Sequence, residues 1–213
     1  MRTGLVLLVL WLTTMGVLLA EEAYIRQPAA GGGFVFFTSE GDIWRVPEAG
    51  GAAQRLTTHA GRENHVAVSP DASLLAFSAA YEGDGAVYVM PLEGGLPRRL
   101  TFEEGGCAVL GWTPTGEILY NTISAYGPAD RRVVVSVHPV TGVRRVFPLA
   151  DVTEASMDPE GRMLYVTRLG LAMTRDNVRA YRGGAAPQIW SLDLDGKEEA
   201  RPVPFDAPAH TPM

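Results

Sequence analysis

The chain carries an echo of itself. "SEGDIWRVPEAGGAAQRLT", Ser39 to Thr57, is answered by "DGAVYVMPLEGGLPRRLT", Asp84 to Thr101. Trp44 matches Tyr88, Pro47 matches Pro91, Gly50-Gly51 match Gly94-Gly95, and Leu56-Thr57 match Leu100-Thr101, each pair 44 residues apart. A second marker runs through "SPDASLLAFSA", "TPTGEILYNT" and "DPEGRMLYVT", whose Pro70, Pro114 and Pro159 fall at intervals of 44 and 45. Such a period constrains the fold more than any composition does. Each unit must be one supersecondary element that buries its apolar faces against its neighbouring copies.

The grammar of one unit is local. "HVAVSP" is a short strand ending in a Pro turn, "LLAFSAA" a second, "AVYVMPL" a third after a Gly-Asp-Gly turn, and "PRRLT" a fourth after a Gly-Gly turn. Glycine supplies the positive backbone angles of tight turns, and proline closes strands because it cannot donate to a ladder. No part of the unit carries a helical period. Four strands in about 44 residues, repeated, predict an all-β protein, a β-propeller with four four-stranded blades at about 23–58, 64–102, 107–149 and 153–205. An open stack of blades leaves two bare apolar ends, a loss of the same order as the stability of a whole domain. The expectation is therefore that these four blades are the front part of a six- or seven-bladed ring, with "DAPAHTPM" leading into a fifth.

Charge and length narrow the function. At 213 residues, a net charge of -6 and a pI of about 5.2, the chain has no basic field to gather phosphates, and nucleic acid is not an expected partner. "MRTGLVLLVLWLTTMGVLLAEEAY" joins one arginine to an apolar run too short for a comfortable bilayer span, and reads as a signal peptide over residues 1–20. Leu18, where a small residue usually precedes cleavage, leaves an uncleaved anchor as the alternative. The rest is expected to be exported, periplasmic or secreted, with no other membrane segment. Cys107 has no partner for an intrachain disulfide and reads as a small buried hydrophobe on a strand.

Catalytic patterns are absent from the sequence. There is no Gly-x-Ser-x-Gly elbow, and His59, His65, His138 and His210 show no His-Glu-x-x-His spacing, so they read as polar residues of loops and strand ends; neither a metal nor a cofactor is expected. "AAGGGF", Ala29 to Phe34, lacks the lysine and following helix of a phosphate cradle and reads as a hairpin turn. The arginine pairs Arg98-Arg99, Arg131-Arg132 and Arg144-Arg145 read as solvated strand edges, and acidic pairs such as Glu103-Glu104 as solvated turns. One irregularity stands out. The second-to-third connection of the fourth unit, Gly170 to Pro187, is long and carries Arg175, Arg179, Tyr181 and Arg182, candidates for binding a substrate carboxylate. Packing of that loop against a further blade is the competing reading.

"YIRQP", "SEGDIWRVPEAGGAAQRLTTHAGRENHVAVSPD", "VYVMPLEGGLPRRLT", "VLGWTPTGEILY" and "YRGGAAPQIWSLDLDG" together resemble the N-terminal propeller of the tricorn proteases and their homologues among the S41 serine peptidases. The resemblance runs in order through nearly everything after residue 20. It implies a longer, homo-oligomeric protein with a six-bladed propeller, a seven-bladed one, a PDZ-like module and a C-terminal domain holding the catalytic serine and histidine. Those motifs match nothing here, so no catalytic residue is assigned. In such an assembly propellers gate or dock peptides and unfolded polypeptide for the peptidase domain. A stand-alone TolB-like propeller that mediates protein–protein interaction is the alternative. A third, an independent enzyme on a propeller scaffold, would need carboxylates clustered at the central funnel, and none can be placed there.

Overall fold

A computed structural model describes residues 24–123, 131–168 and 188–204. Every blade is an antiparallel meander in chain order. The first comprises β1 (Arg26–Gly31), β2 (Phe34–Ser39), β3 (Asp42–Pro47) and β4 (Gln54–Arg55). The second comprises β5 (Glu63–Val68), β6 (Leu74–Ala79), β7 (Ala86–Pro91) and β8 (Arg98–Arg99). The third has β9 (Cys107–Trp112), β10 (Ile118–Thr122), β11 (Val133–Val137) and β12 (Arg144–Ala150), and the fourth β13 (Val152–Met157), β14 (Met163–Arg168), β15 (Gln188–Asp193) and β16 (Arg201–Pro202). No helix occurs among the described residues. The all-β propeller expected from the repeat is the fold observed.

The packing explains why the middle strands read as almost continuous apolar runs. Successive side chains of a strand point to opposite faces, and both faces of an inner blade are covered. Thus Leu75, Phe77 and Ala79 join Phe36 and Ile43 in the seam between the first two blades, while Ala76 joins Val109, Tyr120 and Val135 in the seam between the second and third. Leu119, Val134 and Phe147 meet Leu164 and Val166 in the third seam.

The repeated markers turn out to be the joints of each blade. Thr57 and Thr101 close the outer edge: their hydroxyl oxygens accept the backbone N–H of Ile43 and Val87, each at 2.8 Å. Arg55 and Arg99 reach round to donate to the carbonyls of the same threonines, at 3.0 and 2.7 Å. In the glycine pairs, Gly50 and Gly94 donate to Pro47 and Pro91, and Gly51 and Gly95 sit at φ of 128° and 138°, where a side chain would be strained. The second marker folds the first hairpin of a blade. Ser69, Thr113 and Asp158 each use a side-chain oxygen to accept turn N–H groups, those of Ser73 and Leu74, of Glu117, and of Arg162 and Met163. These are side-chain turns of the kind serine, threonine and aspartate favour.

Two readings of charge need correction. Half of the paired arginines, Arg98, Arg131 and Arg144, reach beyond their own blade, and Arg99, Arg132 and Arg145 stay within theirs. Arg98 donates to the Pro139 carbonyl, Arg144 to the Leu100 carbonyl at 3.1 Å, and Arg131 pairs with Asp151 at 2.7 Å. Arg132 is tied within its own blade, to the Asn121 amide oxygen at 3.0 Å. Glu103, expected in a solvated turn, is buried against Arg144 and Tyr120. Sequence alone shows a charge; whether a neighbouring sheet receives it is a property of the stack.

Thr101 has no exposed surface. Thr101→Val should therefore strand the Val87 N–H without an acceptor and cost about 1–3 kcal/mol, while Thr101→Ser keeps most of the stability. Urea denaturation of both variants decides this, and equal stability of the two would refute the joint role of the hydroxyl.

Candidate functional site between the first two blades

A cavity of about 360 Å³ opens where the inner strands β1 and β5 begin, beside the β2–β3 turn. Its walls come from the first two blades and include Arg26, Gln27, Glu40, Arg62, Asn64 and His65. Of the described residues other than glycine, five have positive φ, and three of them line this cavity: Gln27 at 49°, Glu40 at 56° and His65 at 52°. Backbone held in this sparsely populated region costs energy and tends to gather at functional sites. Local causes are visible. β1 and β5 each carry a bulge, between Arg26 and Ala29 and between Asn64 and Ala67, and the extra residue of each twists the strand.

Hydrogen bonds lock the strained residues together. The His65 N–H donates to the Gln27 side-chain oxygen at 2.7 Å, and His65 Nδ1 meets the Asn64 side-chain oxygen at 2.6 Å. His65 is exposed at the cavity mouth, but desolvation of its ring by the surrounding walls lowers the imidazole below its usual range, and the nearby Arg132 charge pushes it further the same way. Arg26 is held by Tyr24, whose ring lies 4.0 Å beneath the guanidinium and whose hydroxyl accepts from it.

The back wall is Glu63, 3% exposed. It accepts from the Ile43 N–H at 3.0 Å and from the hydroxyls of Thr57 and Tyr81. Burial raises its carboxyl above the ordinary glutamate value of 4.5, against those hydrogen bonds, and Asp42 adds to the rise. Burial likewise pushes the Tyr81 hydroxyl far up, helped by the bond to Glu63. The next two seams also contain buried carboxylates, but with cations: Glu103 has Arg144 at 3.3 Å, and Asp151 has Arg131 at 2.7 Å and Arg168 at 3.8 Å. Glu63 has no ion pair among the described residues. Forty-four residues on, its place in the repeat is taken by Cys107, a buried thiol raised by burial.

The site residues expected from sequence, Arg175, Arg179, Tyr181 and Arg182, lie outside the described residues, as do His210 and the 1–20 segment. His59 and His138 are turn residues, each accepting backbone N–H groups through Nδ1. His65 is not; it sits within β5 at the bulge. "AAGGGF" is the β1–β2 hairpin. Among the described residues no group of three histidine, cysteine, aspartate or glutamate side chains is placed to hold a metal ion. Sequence reasoning missed the cavity because non-glycine residues at positive φ leave no compositional trace.

Fold and joints define the class: a propeller built of four-stranded antiparallel blades. Within that class, residues 22–213 match the tricorn protease N-terminal beta propeller domain, and the chain belongs to that family. A tricorn protease homolog 1 from Streptomyces coelicolor is 34% identical over 187 residues, 85% of this chain and 17% of that protein. The chain thus spans about a sixth of that relative's length. Among solved structures, a protein assigned as TolB from Agrobacterium tumefaciens superposes with a TM-score of 0.68 at 24% identity, covering 87% of this chain and 63% of the other. The tricorn protease itself gives 0.66 at 19% identity, covering 84% of this chain and 18% of the other.

A raised carboxyl pKa stabilises the fold in the protonated form. The contribution of Glu63 is fully present below about 4.5, its unfolded value, and is lost as pH rises through the higher folded value. Glu63→Gln lacks this dependence, so its stability relative to wild type should improve as pH rises from 4 to 8. Denaturation curves across that range test it; a constant difference would place the folded carboxyl at its ordinary value.

Proposed function

We propose that this chain is the non-catalytic propeller portion of an exported tricorn-like serine peptidase, where it gates or docks peptides for a peptidase domain encoded outside these residues. The observation that carries the reading is the family match across 22–213 combined with coverage of only 17% of the curated relative. Two faces that meet no neighbouring blade among the described residues support it. Val35, Phe37, Trp44 and Val46 share the side of the first blade turned away from the second, and Tyr165 and Ile189, 41% and 43% exposed, share the far side of the fourth. Two further blades between these faces would complete a six-bladed ring. Export rests on the arginine and apolar run of residues 1–20, and assembly into a homo-oligomer on the resemblance.

The TolB-like alternative draws on the superposition at 0.68 and makes the ring a docking platform for other proteins. Reading the gene beyond codon 213 separates the two: added blades followed by a peptidase domain support the peptidase reading, and a stop codon supports the platform.

The purified chain should bind unstructured peptides, measured by fluorescence anisotropy, and release no cleavage products from them. Turnover sensitive to a serine-directed inhibitor would overturn the non-catalytic assignment, and absence of peptide binding would overturn the gating role.

A further inference from the structure

The cavity between the first two blades has a definite hydrogen-bonding polarity. A backbone N–H can only donate, so the Gln27 end that meets the His65 N–H is its oxygen. The Asn64 oxygen is occupied in turn by His65 Nδ1. Among the described residues neither amide has a hydrogen-bond partner on its NH2 group, and both groups are donors. Arg26 and Arg62 add two guanidinium groups, neither of which has a carboxylate partner among the described residues. On the acceptor side, Glu63 is saturated by Ile43, Thr57 and Tyr81. Glu40 on the β2–β3 turn is the remaining anion of the lining. The lining sets two arginines against two carboxylates, Glu40 and Glu63, so what it holds in surplus is hydrogen-bond donors, because Glu63 already accepts from three groups.

We propose that this cavity binds a single peptide carboxylate, with the guanidinium groups of Arg26 and Arg62 and the side-chain amide nitrogens of Gln27 and Asn64 as its donors. The proposal rests on the peptide-handling reading above and assigns it a contact point. A planar guanidinium pairs with a carboxylate through two parallel N–H···O bonds, and Arg26 is already oriented by its stacking on Tyr24. The strained φ angles of Gln27 and His65 then have a purpose. They hold the amide oxygens inward on His65 and leave the nitrogens for the ligand. A neutral or cationic ligand would leave these donors unpaired, at a cost.

The test uses the whole 213-residue chain and four decapeptides, each labelled at its N-terminus with an uncharged boron-dipyrromethene dye, that differ only in charge: neutral with an amidated C-terminus, the same with a free C-terminus, amidated with one internal aspartate, and amidated with one internal lysine. Anisotropy at low salt should show a carboxylate-bearing peptide bound at least about fivefold more tightly than the neutral one, the scale of a well-oriented ion pair. The two acidic peptides identify whether the carboxylate comes from a chain end or a side chain. In Arg26→Gln/Arg62→Gln the preference should vanish, with an unchanged melting temperature showing that the exposed substitutions leave the fold intact. Arg62→Lys should keep a reduced preference, since one charge replaces a fork. Equal binding of all four peptides by wild type overturns the carboxylate site and leaves the peptide reading standing. A preference that survives the double substitution overturns its location. Failure to bind any of the four removes the peptide reading and this site together.

Discussion

The two middle sheets of this molecule are apolar on both sides, and such a sheet has no stable existence alone. Leu75 and Phe77 need the first blade while Ala76 and Val89 need the third, so the second blade is held in place from both directions at once. Everything else is subordinate to that requirement. The inner strands are brought side by side because the seams bring them there, and the cavity exists because two bulged strands are pressed together at their starting ends. Polar links across the seams follow the same contacts: Trp112 donates to the Ala67 carbonyl at 3.0 Å, and the Val109 N–H to the Ser78 hydroxyl at 2.7 Å.

The period of the sequence made the blades legible, and the structure shows why the marked residues recur. Thr57 and Thr101, and Ser69, Thr113 and Asp158, satisfy backbone groups that no strand partner reaches, so the same chemistry is needed at the same place in each turn of the repeat. What was not legible depends on neighbours distant in sequence. Arg98 reads as an exposed edge residue until the β11–β12 turn, 41 residues away, presents the Pro139 carbonyl to it. Glu103 reads as a turn residue until Tyr120 and Arg144 enclose it. The cavity between the first two blades was hidden for a third reason: Gln27 and His65 acquire positive φ at bulged strands, and nothing in the identity of glutamine or histidine announces that conformation.

Comparison of the three seams shows how a repeat diverges without losing its architecture. All three bury a carboxylate where the connecting segment enters the next blade, but the partners differ. Arginines neutralise Glu103 and Asp151, while Glu63 is met by hydroxyls and a backbone N–H. An ion pair fixes two elements in one geometry, whereas a carboxyl met by hydroxyls needs no cation when protonated. Glu63, which has no ion pair among the described residues, is also the one of these three carboxylates that lines the cavity.

The outermost strands of three blades, β4, β8 and β16, are only two residues long. They present almost no unpaired ladder to which a foreign extended chain could add. β12 is the exception, with seven residues, and it carries Arg145 in the open and Pro148 in mid-strand, the two residue types that most discourage intermolecular pairing. The rim is thus closed to edge-to-edge pairing, and an extended chain that meets it finds almost no strand there to lengthen.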